Sequence, residues 1–177
     1  MIARLGDFLR LTIARTDEQI VSLKQEIDFV KRYLEIEQVR FERLTVDFDI
    51  DPAVLYAEVP HLILQPLVEN AIRHAITPRA APGVITISAS QVDGSLRLQV
   101  LDNGPGLGSE PQVKEGVGLN NVRARLRQLY GQDFSFEMTN NEEGGLTVVL
   151  ELPLDSASGS IANGDSYGSH NHTDVDR

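Results

Sequence analysis

The sequence contains no cysteine, which excludes disulfide bonds and thiolate metal sites and is compatible with a reducing compartment. It also has no long apolar run. The most apolar stretch, residues 61–68, is interrupted by polar residues and is far shorter than the roughly 20 residues of a membrane-spanning helix. The first ten residues are basic and amphipathic but lack the apolar core of a secretory signal. We therefore do not expect this chain to span a bilayer.

Positive charge is also scarce: 16 Lys and Arg residues stand against 26 Asp and Glu residues, for a net charge of −10. This balance argues against general nucleic-acid binding, because neutralising phosphates needs a basic surface. It would also repel a nucleotide at long range. A nucleotide site would therefore need a local field from Mg²⁺, a helix N-terminus and placed cations such as Arg73 or Lys114.

The 177 residues are enough for one well-buried domain with a smaller appendage. Apolar residues recur at helical spacing from residue 2 to about residue 40, and a break near Thr16 and Asp17 predicts two helices. Asp17 or Ser22 is the expected cap of the second. An ordinary helical pair and a dimerisation segment are both open interpretations of this region.

From residue 44 the pattern predicts an α/β portion. Alternating apolar residues predict strands, Asp93-Gly94 predicts a hairpin turn, and Pro60, Pro78 and Gly131 mark helix ends. The predicted strands are 44–50, 84–89, 96–101, 134–138 and 146–152. The predicted helices are 61–76 and 119–130. Residues 103–117 form a glycine-rich loop, and residues 155–177 have the polar composition of a disordered tail.

Asn70 is unfavourable in the middle of a helix, which a ligand would explain. Its neutral amide oxygen suits a Mg²⁺ ion that phosphates already hold, although an amide buried against backbone is an alternative. Arg73 and His74 follow at i+3 and i+4 on the same face, where they could reach phosphates. A surface arginine and an ordinary core histidine are the alternative interpretations. Glu69 points about 100° away from Asn70.

Asp102 ends a predicted strand and is followed by Asn103, Gly104, Pro105 and Gly106. Turn formation alone could explain this segment. The following Pro and Gly, however, make a rigid wall without bulky side chains, which suits a flat base. A carboxylate there could accept a hydrogen bond from the amino group of adenine.

Gly116, Gly118 and Leu119 lie between the glycine-rich loop and a predicted helix. No Gly-Lys-Ser/Thr sequence follows, so this is not a Walker motif. Its position instead suits a hinge and a phosphate cradle at a helix N-terminus.

Residues 69–74, 102–106 and 116–119 resemble, in this order, the N box, G1 box and G2 box of the GHKL superfamily of ATP-binding domains. Over residues 1–153 the chain is more closely similar to the LytS-type sensor histidine kinases. The segments that carry this closer resemblance are residues 33–41, 64–74 and 119–126.

The resemblance implies a two-layer α+β sandwich, with a mixed sheet and helices on one face, preceded by a helical segment. It implies ATP-dependent phosphorylation of a histidine that then serves a response regulator. Asn70 would bind Mg²⁺ and Asp102 the adenine amino group. The remaining ATP contacts that it implies are Gly104 and Gly106 at the adenine wall, Gly116, Gly118 and Leu119 at the lid and phosphates, and Thr147 near the adenine.

The resemblance also divides the chain. Residues 1–42 would end the dimerisation and phosphotransfer region, residues 43–154 would form the catalytic domain, and residues 155–177 would be the tail. The phosphoacceptor histidine is expected to precede residue 1, so this chain should bind ATP without completing autophosphorylation. A full-length parent would be a homodimer, anchored in the inner membrane with this part in the cytoplasm.

Two other functions stay open from the sequence. One is a regulatory binding module or serine kinase of the anti-sigma-factor kind, and the other is a degenerate domain that binds ATP without phosphotransfer. ATP-hydrolysing members of the superfamily carry a glutamate general base four residues before the metal-binding asparagine. Pro66 occupies that position here, so we expect negligible ATPase activity.

Overall fold

The computed structural model describes residues 19–76, 81–107, 117–141 and 144–154. Its strands are β1 (Ile20–Ser22), β2 (Leu44–Ile50), β3 (Glu58–Pro60), β4 (Gly83–Val92), β5 (Ser95–Asp102), β6 (Ser135–Asn140) and β7 (Leu146–Pro153). Its α-helices are α1 (Leu23–Arg40), α2 (Leu64–Ala71) and α3 (Val117–Tyr130). A 3₁₀ turn covers Pro52–Val54, and a π-helical turn, Ile72–Ile76, extends α2.

Five strands form one mixed sheet in the order β2-β4-β5-β7-β6. β2 and β4 are parallel, and the other neighbours are antiparallel. Side chains on one face of β4 and β5 are buried while most of those on the other are half-buried, so the helices cover one face. α2 packs against β5 as well as against α1 and α3. This is the predicted two-layer α+β sandwich.

Local sequence explains most of these elements. Asp93 and Gly94 both have positive φ, which matches the right-handed twist of a two-residue hairpin between β4 and β5. Gly131 has φ +62° and ends α3 by donating its N–H to the carbonyl of Arg127. None of the helices in the described ranges is both long and apolar enough to cross a membrane.

The structure departs from the predicted helical pattern in two places. Ile20–Ser22 is a strand that pairs with Glu58–Pro60, so the second helix begins only at Leu23. Ser22 caps it in a reciprocal capping box with Gln25, as one of the two predicted caps. The next helix begins at Leu64 rather than at His61, because β3 and a turn occupy the preceding residues. The predicted helix before residue 17, the helix stop at Pro78 and the polar tail lie outside the described residues.

Candidate nucleotide site

Asp102 is the last residue of β5 and is only 4% exposed. Its Oδ1 accepts hydrogen bonds from the backbone N–H groups of Gly104 at 2.8 Å and Leu146 at 3.3 Å. One donor lies in the turn directly after β5 and the other at the start of β7, so the carboxylate is oriented before any ligand arrives. A buried and oriented carboxylate is suited to a directional hydrogen bond with a ligand.

Two glycines near Asp102 have no room for a side chain. Gly145 has φ +105°, and a Cβ there would lie 1.9 Å from the carbonyl oxygen of Asp102. Gly106 has φ +72°, and its Cβ would lie 2.6 Å from Oδ1 of Asn140. Both positions therefore require glycine.

Two asparagines that the sequence did not point to hold this region together. The Asn140 side chain accepts from the N–H of Leu107 at 2.6 Å and donates to its carbonyl at 3.2 Å. Asn141 donates to the Asp102 carbonyl at 3.1 Å and accepts from the hydroxyl of Thr147, which is 8% exposed. In the sequence these asparagines look like ordinary turn residues.

We call these residues the strand-end cluster: Asp102, Gly104, Gly106, Asn140, Asn141, Gly145 and Thr147. It contains four of the predicted ATP contacts, namely Asp102, Gly104, Gly106 and Thr147. All of them lie where β5 and β7 meet the segments that follow β5 and connect β6 to β7.

A second group of predicted residues surrounds a cleft of about 180 Å³, which we call the α2 cleft. Asn70 is half-buried on its wall, and the side chains of Arg73 and His74 are exposed beside it. The π-helical turn after α2 carries both of these residues, and such turns are frequent at functional sites. The lining residues are Pro66, Glu69, Asn70, Arg73, His74, Gly118 and Leu119.

The remaining lining residues have distinct environments. Glu69 lies on the cleft wall and accepts a 2.6 Å hydrogen bond from the amide of Gln65. Pro66 also faces the cleft and has no group that can accept a proton. A Cβ on Gly118 would meet that of Pro66 at an ordinary 3.7 Å, so packing does not require glycine at this position. Gly116 and Lys114 lie outside the described residues.

The side chains available as metal ligands limit which metal ion the α2 cleft could bind. Across the described parts of the chain there is no group of three or more His, Asp or Glu side chains able to hold a metal ion. A metal beside Asn70 would therefore draw most of its ligands from phosphates and water. Mg²⁺ is commonly bound in this way, with few protein ligands, so the residues present fit it.

The mixed sheet, the buried carboxylate at a strand end and the cleft lined by two helices make this an α+β sandwich domain with a candidate ligand site. Residues 57–156 match the profile of the histidine kinase-, DNA gyrase B-, and HSP90-like ATPases. The chain belongs to this family. Residues 1–44 match a second profile, that of the histidine kinases.

Curated relatives are sensor histidine kinases. The chain is 36% identical over 157 residues to the sensor histidine kinase YesM of Bacillus subtilis, and 40% identical over 164 residues to YpdA of Escherichia coli. It is 31% identical over 164 residues to the sensor protein LytS of Oceanobacillus iheyensis. These matches cover 85–86% of this chain but only 27–28% of each relative. The chain thus corresponds to the ATP-binding catalytic part of much longer sensor kinases.

Solved structures agree on the fold. The catalytic domain of histidine kinase ThkA has a TM-score of 0.60 at 21% identity, covering 76% of this chain and 95% of that one. The histidine kinase domain of the Erythrobacter litoralis blue-light activated kinase has a TM-score of 0.61 at 22% identity, covering 86% of this chain and 74% of that one. ThkA was also solved in complex with the response regulator TrrA, with a TM-score of 0.58 and 19% identity, covering 89% of this chain and 49% of that one.

Proposed function

We propose that residues 43–154 bind ATP with Mg²⁺ and transfer the γ-phosphoryl group to a histidine located outside this chain. A histidine nitrogen forms the new bond to the γ-phosphorus while the bond to the β,γ-bridging oxygen breaks, and ADP leaves. The observation that carries the proposal is the oriented, 4% exposed carboxylate of Asp102 on β5, against which the Asn70 helix packs.

Each group of residues has a proposed part in binding. Asp102 accepts a hydrogen bond from the adenine amino group, and Gly104, Gly106 and Thr147 bound the base. Asn70 supplies an amide oxygen to the phosphate-bound Mg²⁺, while Arg73 and His74 offset phosphate charge from the cleft rim. Gly118 and Leu119 bring backbone N–H groups to the phosphates at the start of α3, and Gly116 is proposed to do so from its motif alone.

The proposal extends to partners: the response regulator is supported by the complex of ThkA with TrrA, and the dimer and the membrane anchor by the resemblance to sensor kinases. The phosphorylated histidine serves a response regulator, and the full-length parent is a membrane-anchored homodimer with this domain in the cytoplasm. Residues 1–42 belong to its dimerisation and phosphotransfer region. Because Pro66 occupies the cleft where a general base would be needed, ATP is passed to histidine rather than hydrolysed by water.

The test supplies a histidine-bearing helical hairpin from a sensor kinase of the same family in trans, together with γ-labelled ATP and Mg²⁺. We expect acid-labile, base-stable label on the hairpin histidine. Asn70→Ala should abolish this label, whereas Gln128→Ala, which removes an exposed amide on α3 outside the α2 cleft, should preserve it. Saturable ATP binding without label on any hairpin would contradict the phosphotransfer proposal, as would brisk hydrolysis that Asp102→Asn abolishes.

A further inference from the structure

A buried carboxylate from α1 holds the start of α2, the helix that carries Asn70. Glu26 is 1% exposed, and its carboxylate accepts three backbone hydrogen bonds. The donors are the N–H groups of Leu62 at 2.6 Å, Ile63 at 2.8 Å and Leu64 at 3.3 Å. The unsatisfied amides at this helix start are therefore capped by a residue 36–38 positions away in the sequence.

The start of α2 has no local means of fixing its position. Ile63, at the N-cap, makes no side-chain capping hydrogen bond. Leu62 has φ +58°, a left-handed conformation that a leucine adopts only when its surroundings impose it. The Glu26 carboxylate is part of those surroundings, since it accepts a hydrogen bond from the N–H of Leu62 itself.

Arg125 of α3 ties the same turn to a second element. Its guanidinium donates to the carbonyl of His61 and, at 3.0 Å, to that of Gln19 beside β1. The two helices that line the α2 cleft are thus joined at residues 61–64, where α1 and β1 also meet them. Burial raises the pKa of the Glu26 carboxyl, and the three amide donors and Arg125 offset part of this rise.

We propose that Glu26 is a positioning residue for the metal end of the nucleotide site, acting through α2 on Asn70. Asn70 lies six residues beyond the capped amide of Leu64, which is about 9 Å along a helix. This inference rests on the proposed role of Asn70 toward phosphate-bound Mg²⁺. The strand-end cluster is held by its own hydrogen bonds, so adenine recognition should not depend on Glu26.

The test measures calorimetric affinity for ATP with Mg²⁺ and for ATP in EDTA. Glu26→Gln should reduce the gain in affinity that Mg²⁺ provides by about tenfold, the lower end of the cost of losing a residue that orients a metal ligand, because Glu26 acts on Asn70 through the helix and not by direct contact. Affinity in EDTA should change less than about twofold, well under the size of one lost hydrogen bond. Glu35→Gln, the same change at an exposed position on α1, is the matched control and should behave as the unsubstituted chain.

The outcomes separate the two proposals. If Asn70→Ala loses the gain from Mg²⁺ while Glu26→Gln keeps it, the inference on Glu26 is overturned alone. Equal losses with and without Mg²⁺ in Glu26→Gln would make Glu26 a purely structural residue and also overturn it. No gain from Mg²⁺ in the unsubstituted chain would overturn the role of Asn70, and the inference with it.

A measurement on the unsubstituted chain covers the case in which Glu26→Gln does not fold. Because coupling between two sites is reciprocal, Mg²⁺ binding at Asn70 must stabilise the cap that positions it. Hydrogen exchange of the Leu62, Ile63 and Leu64 amides should therefore be slower with ATP and Mg²⁺ than with ATP in EDTA. Equal exchange in the two conditions would overturn the inference.

Discussion

The strand-end cluster and the α2 cleft are built in different ways. The first is closed by short hydrogen bonds among neighbouring segments: Asp102 is oriented by Gly104 and Leu146, and Asn140 holds Leu107. The α2 cleft instead presents the exposed side chains of Arg73 and His74, on a helix whose start is fixed from α1. The strand-end cluster is preorganised by local hydrogen bonds, whereas the geometry of the α2 cleft depends on how α2 packs against α1.

This difference indicates where each end can be disturbed. A change within the segment between β6 and β7 should weaken adenine binding with and without Mg²⁺. A change at the junction of β1, α1 and α2 should act on the metal end alone.

We expect the largest loss of stability from Gly145→Ala, which would disrupt the strand-end cluster. Its Cβ would overlap the Asp102 carbonyl, and its φ of +105° is unfavourable for alanine. We expect the free energy of unfolding to fall by about 3–5 kcal/mol. Urea denaturation followed by circular dichroism measures this change.

Gly94→Ala is the matched control for that measurement. Gly94 also has positive φ, at +81°, but nothing lies within 4 Å of the added Cβ. The expected loss is about 1–2 kcal/mol, from backbone strain alone. Equal losses in the two variants would show that close packing around Asp102 does not constrain the cluster.

A smaller effect at the same end is expected from Asn140→Ala, which removes two hydrogen bonds to Leu107. Since Asn140 is exposed, we expect a loss of about 1 kcal/mol in ATP binding free energy, or roughly fivefold in affinity. The loss should be the same in Mg²⁺ and in EDTA by titration calorimetry. Thr139→Ala, an exposed neighbour on β6, should leave affinity unchanged. A loss of ATP affinity seen only with Mg²⁺ would contradict the separation of the strand-end cluster from the α2 cleft.

The smallest effect is the pH dependence of the cap at α2. Burial raises the pKa of Glu26 in the folded state above its ordinary value of 4.5. The folded state therefore binds more protons, and the contribution of Glu26 is fully present below that value and lost as pH rises through the folded pKa. The stability of the unsubstituted chain relative to Glu26→Gln should therefore fall as the pH rises above the unfolded-state pKa. A relative stability that rises over this range in urea denaturation would contradict this assignment.

Much of the sheet is predictable from the sequence because its signals are local. Alternating apolar residues and Asp93-Gly94 correctly predict the hairpin of β4 and β5. The strand Ile20–Ser22 is not predictable in this way, because its partner Glu58–Pro60 is distant and backbone pairing overrides its helical spacing. Tertiary hydrogen bonds decide the structure of such short segments.

The candidate site shows the same limit. The positions of Asn70 and Asp102 follow from their motifs, whereas Glu26 and Asn140 contact residues that are distant in the sequence. One signal for Glu26 is present in the sequence: it falls in the same buried helical stripe as Leu23, Ile27 and Val30. A carboxylate within an apolar stripe predicts a specific buried partner.

The most direct test of the central claim is calorimetric titration of this chain with ATP and Mg²⁺, beside GTP and the Asp102→Ala variant. The account predicts saturable ATP binding, much weaker GTP binding, and a loss in the variant of about tenfold to hundredfold or more, as expected for a charged hydrogen bond worth ~1.5–3 kcal/mol. Equal binding of ATP and GTP, or full ATP affinity in Asp102→Ala, would contradict it.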